Sequence, residues 1–117
     1  MFRRCTSLTE PPVINATSTG NGSYHMNSMF EGCTSLTHSP VLRITSLSTN
    51  TYAQLFDGCT SLQYIYALFT SAYSSSLTNW VRNVSSAGQF YKNPNSTFST
   101  RGVNGIPQLW TVYDYSE

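Results

Sequence analysis

At 117 residues the chain suits one domain. It carries 11 charged side chains against 33 serines and threonines and 9 asparagines, so its polarity rests on hydroxyls and amides, and few groups suit acid, base or phosphate chemistry. A formal charge of +1 with scattered basic residues excludes the electrostatic footprint of a nucleic-acid binder, and 39 % hydrophobic residues exclude disorder driven by charge.

The chain opens on Met1-Phe2-Arg3-Arg4 without an apolar signal core behind it. Its richest apolar stretch, residues 64–72, is half the length of a membrane span and dotted with tyrosines, so no membrane crossing is expected. A repeat dominates what lies between. Met1-Phe2-Arg3-Arg4-Cys5-Thr6-Ser7-Leu8-Thr9 returns as Met29-Phe30-Glu31-Gly32-Cys33-Thr34-Ser35-Leu36-Thr37, and again as Leu55-Phe56-Asp57-Gly58-Cys59-Thr60-Ser61-Leu62-Gln63. Pro12-Val13-Ile14 and Pro40-Val41-Leu42 keep the same offset, which extends the likeness past the nine-residue motif.

Each copy predicts one short helix and one short strand. Met26, Met29 and Phe30, then Tyr52, Leu55 and Phe56, recur at i, i+3 and i+4, the spacing of one buried face on a helix of about two turns. Gly32 and Gly58 follow where a left-handed C-terminal cap wants glycine, and Ser23, Thr49 or Thr51 are candidate N-caps. After each cysteine, Thr-Ser-Leu-Thr is β-prone, and Pro12 or Pro40 limits the strand. The polar tracts at residues 15–23 and 45–51 read as surface turns. One such unit cannot bury its apolar face alone, whereas stacked units form a continuous ladder of Phe, Cys and Leu, so the predicted architecture is an α/β repeat solenoid. In the third copy Tyr66 stands where Pro12 and Pro40 stood, and Tyr64-Ile65-Tyr66-Ala67-Leu68-Phe69 predicts a longer strand that closes the repeats. Residues 1–79 thus hold three copies, the first truncated, and residues 80–117 form a β-containing, irregular C-terminal cap of the same structural domain.

The phrase Met-Phe-x-Gly-Cys-Thr-Ser-Leu-Thr, followed by a proline, resembles the leucine-rich repeats of the BspA type, found in surface proteins of gut and oral bacteria, in protist surface proteins and in phage genomes. The likeness covers residues 1–68. Asn79-Trp80-Val81 and Gly105-Ile106-Pro107 before Trp110-Thr111-Val112 resemble, more weakly, the closing segment of some such sequences. The resemblance implies a curved right-handed solenoid with a parallel strand ladder on one side, non-enzymatic and used for adhesion or recognition.

Cys5, Cys33 and Cys59 lack the close-paired spacing of zinc ligands, and equivalent side chains of a ladder point the same way, so they read as buried apolar fillers rather than as metal ligands or a disulfide. Glu31 and Asp57 occupy the same position in successive copies, and stacked coils could bring them to the carboxyl separation of a retaining glycosidase; their place beside an exposed cap glycine favours a solvated end instead. Neither His25 nor His38 shows a carboxylate to orient it, no Gly-x-Ser-x-Gly elbow or phosphate loop occurs, and the sequons at Asn15, Asn21, Asn83 and Asn95 are expected by chance in this composition. No catalytic residue, metal or cofactor is assigned. The remaining function is binding, with Thr9, Thr37 and Gln63, then Glu10, His38 and Tyr64, as candidate ligand-binding residues on the exposed strand face.

The sequence therefore predicts a recognition or adhesion module of a bacterial surface or phage particle, facing a protein or glycan surface, with no nucleic acid and no membrane span. The alternative is a structural spacer or assembly element in a larger surface or phage tail protein. Location is expected at the cell surface, secreted, or in the virion. Because the chain opens in mid-unit, its N-terminal edge is expected to be covered by further repeats or by a second chain.

Overall fold

The apolar residues of successive motifs gather in one core because the copies lie side by side. A computed structural model describes residues 3–11, 26–45, 47, 51–70 and 74–116. Met1, Phe2, Pro12 to Ile14, Ser23, His25 and Thr49, each given a part in the sequence reading, lie outside the described residues, as do Asn15 and Asn21. Phe30, Cys33 and Leu36 of the second copy and Phe56, Cys59 and Leu62 of the third are fully buried, while Cys5 and Leu8 of the first are partly buried against them. Phe30 stacks on Phe56 at 5.8 Å between ring centroids.

The two predicted helices are not helices. Residues 26–32 and 51–58 are runs of tight turns, and the one helical element among the described residues is a 3-10 turn at Ser74–Leu77. Their N–H groups alternate in direction. Those of Ser28, Phe30 and Gly32 cross to the carbonyls of Ala53, Leu55 and Asp57 in the next copy at 2.8–3.0 Å, while those of Met29, Glu31 and Cys33 close turns onto Met26, Ser28 and Phe30 at 3.0–3.2 Å. The pattern repeats one copy on, where Tyr52, Gln54, Phe56 and Gly58 donate to Ser76, Thr78, Trp80 and Arg82. A true helix would use every interior N–H within itself. Left-handed residues four apart break the helical path each time: Ser28 and Gly32, Gln54 and Gly58, Asn79 and Asn83.

The strands start later than the motif suggested. Thr-Ser-Leu-Thr opens as a turn, closed by Leu36 N–H on Cys33 O and Leu62 N–H on Cys59 O, and β1 (His38–Leu42) and β2 (Tyr64–Ala67) follow it. Pro40 lies inside β1, and the register slips between His38 and Val41. Ser39 repairs the ladder there: its Oγ accepts the Tyr66 N–H at 2.9 Å and donates to Pro40 O at 2.8 Å. Past β2 the copies stay joined through Leu68 N–H to Leu42 O and Thr70 N–H to Thr45 O.

Residues 80–117 supply two further strands, β3 (Gln89–Lys92) and β4 (Thr111–Asp114). All four strands are parallel, form one open sheet, and stand in chain order β1-β2-β3-β4. Between β3 and β4 the chain is irregular apart from an Arg101–Ile106 bridge. Trp80 anchors this part of the core, packed within 6.2 Å of the rings of Tyr52, Phe56, Phe69 and Phe90, with its indole N–H on Gly105 O at 2.8 Å. No helix among the described residues is long and apolar enough to cross a membrane.

Candidate functional site: the outer face of the sheet

Strand alternation splits the sheet into an inner row, Leu42, Ile65, Ala67 and Phe90, which is buried, and an outer row that is not. Register sets the outer side chains in two columns. His38, Tyr64, Gln89 and Thr111 are direct partners in successive strands, and so are Val41, Tyr66, Tyr91 and Tyr113.

Of the six nominated residues, Thr9, Glu10, Thr37, Gln63 and Tyr64 are exposed and His38 is half-buried. The structure joins several of them. Glu10 Oε2 lies 2.8 Å from His38 Nε2, and the Thr37 hydroxyl meets His38 Nδ1 at 3.1 Å, so His38 does have a carboxylate to orient it. That partner was hidden because it lies one copy away in the chain. Gln63 N–H donates to Thr37 O at 2.8 Å, and Tyr64 stands beside His38 in the first column. Gln63 and Tyr64 also line a shallow cleft of about 260 Å³ with Ala87, Gly88, Gln89 and Thr111. Gly88 is required at its rim, since a Cβ there would lie 2.5 Å from Gln63 O and 2.6 Å from the Trp110 ring.

The second column went unrecognised in the sequence. Tyr66 stacks on Tyr91 at 5.1 Å and Tyr91 on Tyr113 at 5.5 Å, with interplanar angles of 22° and 24°, and Tyr115 meets Tyr66 edge-on at 6.1 Å. Tyr91 Oη donates to Gln89 Oε1 at 2.6 Å and so ties the two columns together. Burial, with smaller effects from the neighbouring phenols of Tyr91, Tyr64 and Tyr115, raises the Tyr66 hydroxyl above its ordinary range and keeps it a proton donor. The signal was present in three triplets, Tyr64-Ile65-Tyr66, Gln89-Phe90-Tyr91 and Thr111-Val112-Tyr113, each a polar residue, an apolar residue and a tyrosine.

Charged groups off these columns form ion pairs of their own. Lys92 Nζ binds Asp114 at 2.9 Å and Ser96 O at 3.1 Å. Glu31 and Asp57 are each held by an arginine from the copy on their far side: Arg3 Nε lies 2.9 Å from Glu31, and Arg82 grips Asp57 through two contacts of 2.6 and 3.1 Å. The four residues form one column, Arg3, Glu31, Asp57, Arg82, in which both carboxylates are engaged as ion pairs. Hydrogen bonding to Asp57 raises the Arg82 pKa further.

The thiols of Cys33 and Cys59 are buried and that of Cys5 is half-buried; all three are free. Burial pushes the Cys59 thiol up to about 12, with the Cys33 sulfur adding to the effect, and Cys59 Sγ donates to Phe30 O at 3.0 Å. Among the described residues no group of three His, Cys, Asp or Glu is placed to hold a metal ion. Comparison with protein-family models, with curated proteins and with solved structures finds no match.

Proposed function

We propose that the chain is a leucine-rich-repeat solenoid of the BspA type acting as a non-enzymatic recognition or adhesion module of a bacterial surface or phage-particle protein. The repeated Phe-x-Gly-Cys-Thr-Ser-Leu phrase and the parallel strands in chain order support the solenoid. Crossovers between parallel neighbours are right-handed in about 98 % of cases, which favours a right-handed coil. The observation that carries the functional reading is the outer face itself. Its columns of tyrosine, amide and hydroxyl groups run across three strands and offer rigid, amphipathic contact area at low entropic cost, the surface chemistry of recognition loops in general.

The test is binding of the fluorescently labelled chain to a panel of bacterial cells, compared with the double variant Tyr64→Ala/Gln89→Ala. We expect saturable binding that the double variant loses by about tenfold. Binding to no cell type, or equal binding by the variant, favours the spacer or assembly reading instead.

A further inference from the structure

We propose that the outer face takes an uncharged polysaccharide lying across β2, β3 and β4, seated by the Gln63–Tyr64–Gln89–Thr111 cleft and continued by the tyrosine column; the inference rests on the recognition reading above. Three observations on this face converge on that ligand.

The first is charge. Apart from His38, which is paired with Glu10, the two columns hold uncharged side chains throughout: Tyr64, Gln89 and Thr111 in one, Val41, Tyr66, Tyr91 and Tyr113 in the other. A polyanion finds no free cation along these columns, and a polycation no free carboxylate. An uncharged hydroxyl polymer is the complementary partner.

The second is the supply of polar groups. Among the described residues, the Gln63 amide, the Thr111 hydroxyl and the hydroxyls of Tyr64, Tyr66, Tyr113 and Tyr115 make no hydrogen bond within the protein. Gln89 accepts from Tyr91 through Oε1, which leaves its NH₂ group to donate toward the cleft. Amides and hydroxyls side by side supply donors and acceptors in alternation, as the vicinal hydroxyls of a hexose require.

The third is spacing. The rings of Tyr66, Tyr91 and Tyr113 repeat at 5.1 and 5.5 Å, the step imposed by neighbouring strands, and this is close to the advance per sugar in an extended hexose polymer. A chain running across the strands meets one phenol per sugar unit. Tyr113, stacked by Tyr91 on one side and 46 % exposed, offers the apolar face of a sugar ring a surface on which to rest.

The experiment is affinity electrophoresis of the whole chain through native gels containing a soluble β-glucan, a mannan, a galactan, or a sulfated polysaccharide as control. Tyr64→Ala and Thr111→Ala alter exposed side chains and serve beside Gln89→Ala and Tyr91→Phe, with cooperative unfolding checked for each. The expected result is retardation by at least one neutral polymer, weakened about tenfold by Tyr64→Ala or Gln89→Ala and abolished when the polymer's diols are cleaved with periodate. Retardation by the sulfated polymer alone, by no polymer, or equally in every variant overturns the proposal. Cell binding separates this failure from failure of the recognition reading. Binding that needs Tyr64 and Gln89 but is removed by protease and survives periodate overturns the polysaccharide assignment and leaves recognition standing in favour of a protein partner. Cell binding indifferent to both residues overturns the two together.

Discussion

The part of the chain that repeats in sequence and the part that does not build the same rungs by different means. In residues 26–70 the left-handed positions are filled by Ser28 and Gly32, then Gln54 and Gly58; past residue 74 Asn79 and Asn83 take them with φ of 53° and 64°. Asparagine tolerates this region because its short amide bonds locally, and Arg4 takes the motif-glycine position in the first copy with φ of 60°, so the motif glycine is one solution of three. The position of Phe30 and Phe56 passes to the buried Val81, while Trp80, one residue earlier, supplies the ring that packs on Phe56 at 6.1 Å, and Asp57 is followed in its column by the arginine that neutralises it. What the stack requires is a left-handed residue every fourth position, one large apolar side chain and a strand of alternating faces. The literal motif is not required.

The sharpest way to break this equivalence is at Trp80. If the non-repeating part only caps the repeats, Trp80→Ala should cost little; because Trp80 is fully buried, touches rings of its own rung and the one before, and bonds Gly105 in the one after, we expect a loss of about 3–5 kcal/mol by urea unfolding. Leu36→Ala, within the repeats, should lose about 2–5 kcal/mol, and Leu8→Ala, only partly buried, clearly less. Equal losses at Leu36 and Leu8 would contradict the stacking order.

Gly88→Ala asks whether the later rungs are packed as tightly as the earlier ones. The added methyl would press on Gln63 O and the Trp110 ring, an overpacking expected to destabilise by about 1–3 kcal/mol and to disturb the cleft at the same time. Gly58→Ala isolates the backbone cost, since its Cβ would meet nothing closer than 3.6 Å and only the φ of 81° opposes it; the expected loss is about 1–2 kcal/mol. Asn83→Gly at the matching position should change stability by no more than a few tenths of a kcal/mol. A large gain there would mean that asparagine is strained and the two solutions are not equivalent.

The repeating part also carries a pH dependence, visible only in alkaline solution. The Cys59 thiol stands at about 12 in the fold against 9.0 for a free thiol. Between those values the unfolded chain has shed this proton and the folded chain keeps it, so the fold binds more protons and stability falls as pH rises. The urea midpoint should be insensitive to this group below about pH 8 and decline above about pH 9. Cys59→Ala should flatten part of that decline. In native alkylation at neutral pH, Cys5 should label first and Cys59 last.

Much of the inner side was legible in the chain. Phe30, Phe56, Cys33, Cys59, Leu36 and Leu62 recur in phase, and apolar residues in phase must share a core whatever joins them. The site was legible only at its near edge. Gln63 and Tyr64 were found because they adjoin the motif, whereas Gln89, Tyr91, Thr111 and Tyr113 adjoin no motif and were missed.

The sequence by itself determined the unit and the side chains it buries, because both follow from local apolar spacing. It also marked Gly32 and Gly58 as left-handed positions. Tertiary structure decided the rest. The i, i+3, i+4 spacing serves a helix and a run of turns equally well, and only the carbonyls of the adjacent copy, presented to alternate N–H groups, select the turns. The glutamate on His38, the arginines on Glu31 and Asp57, and the tyrosine column all join residues 22 to 28 apart in the chain. No local pattern encodes such pairs; they exist because parallel register sets equivalent positions one strand spacing apart.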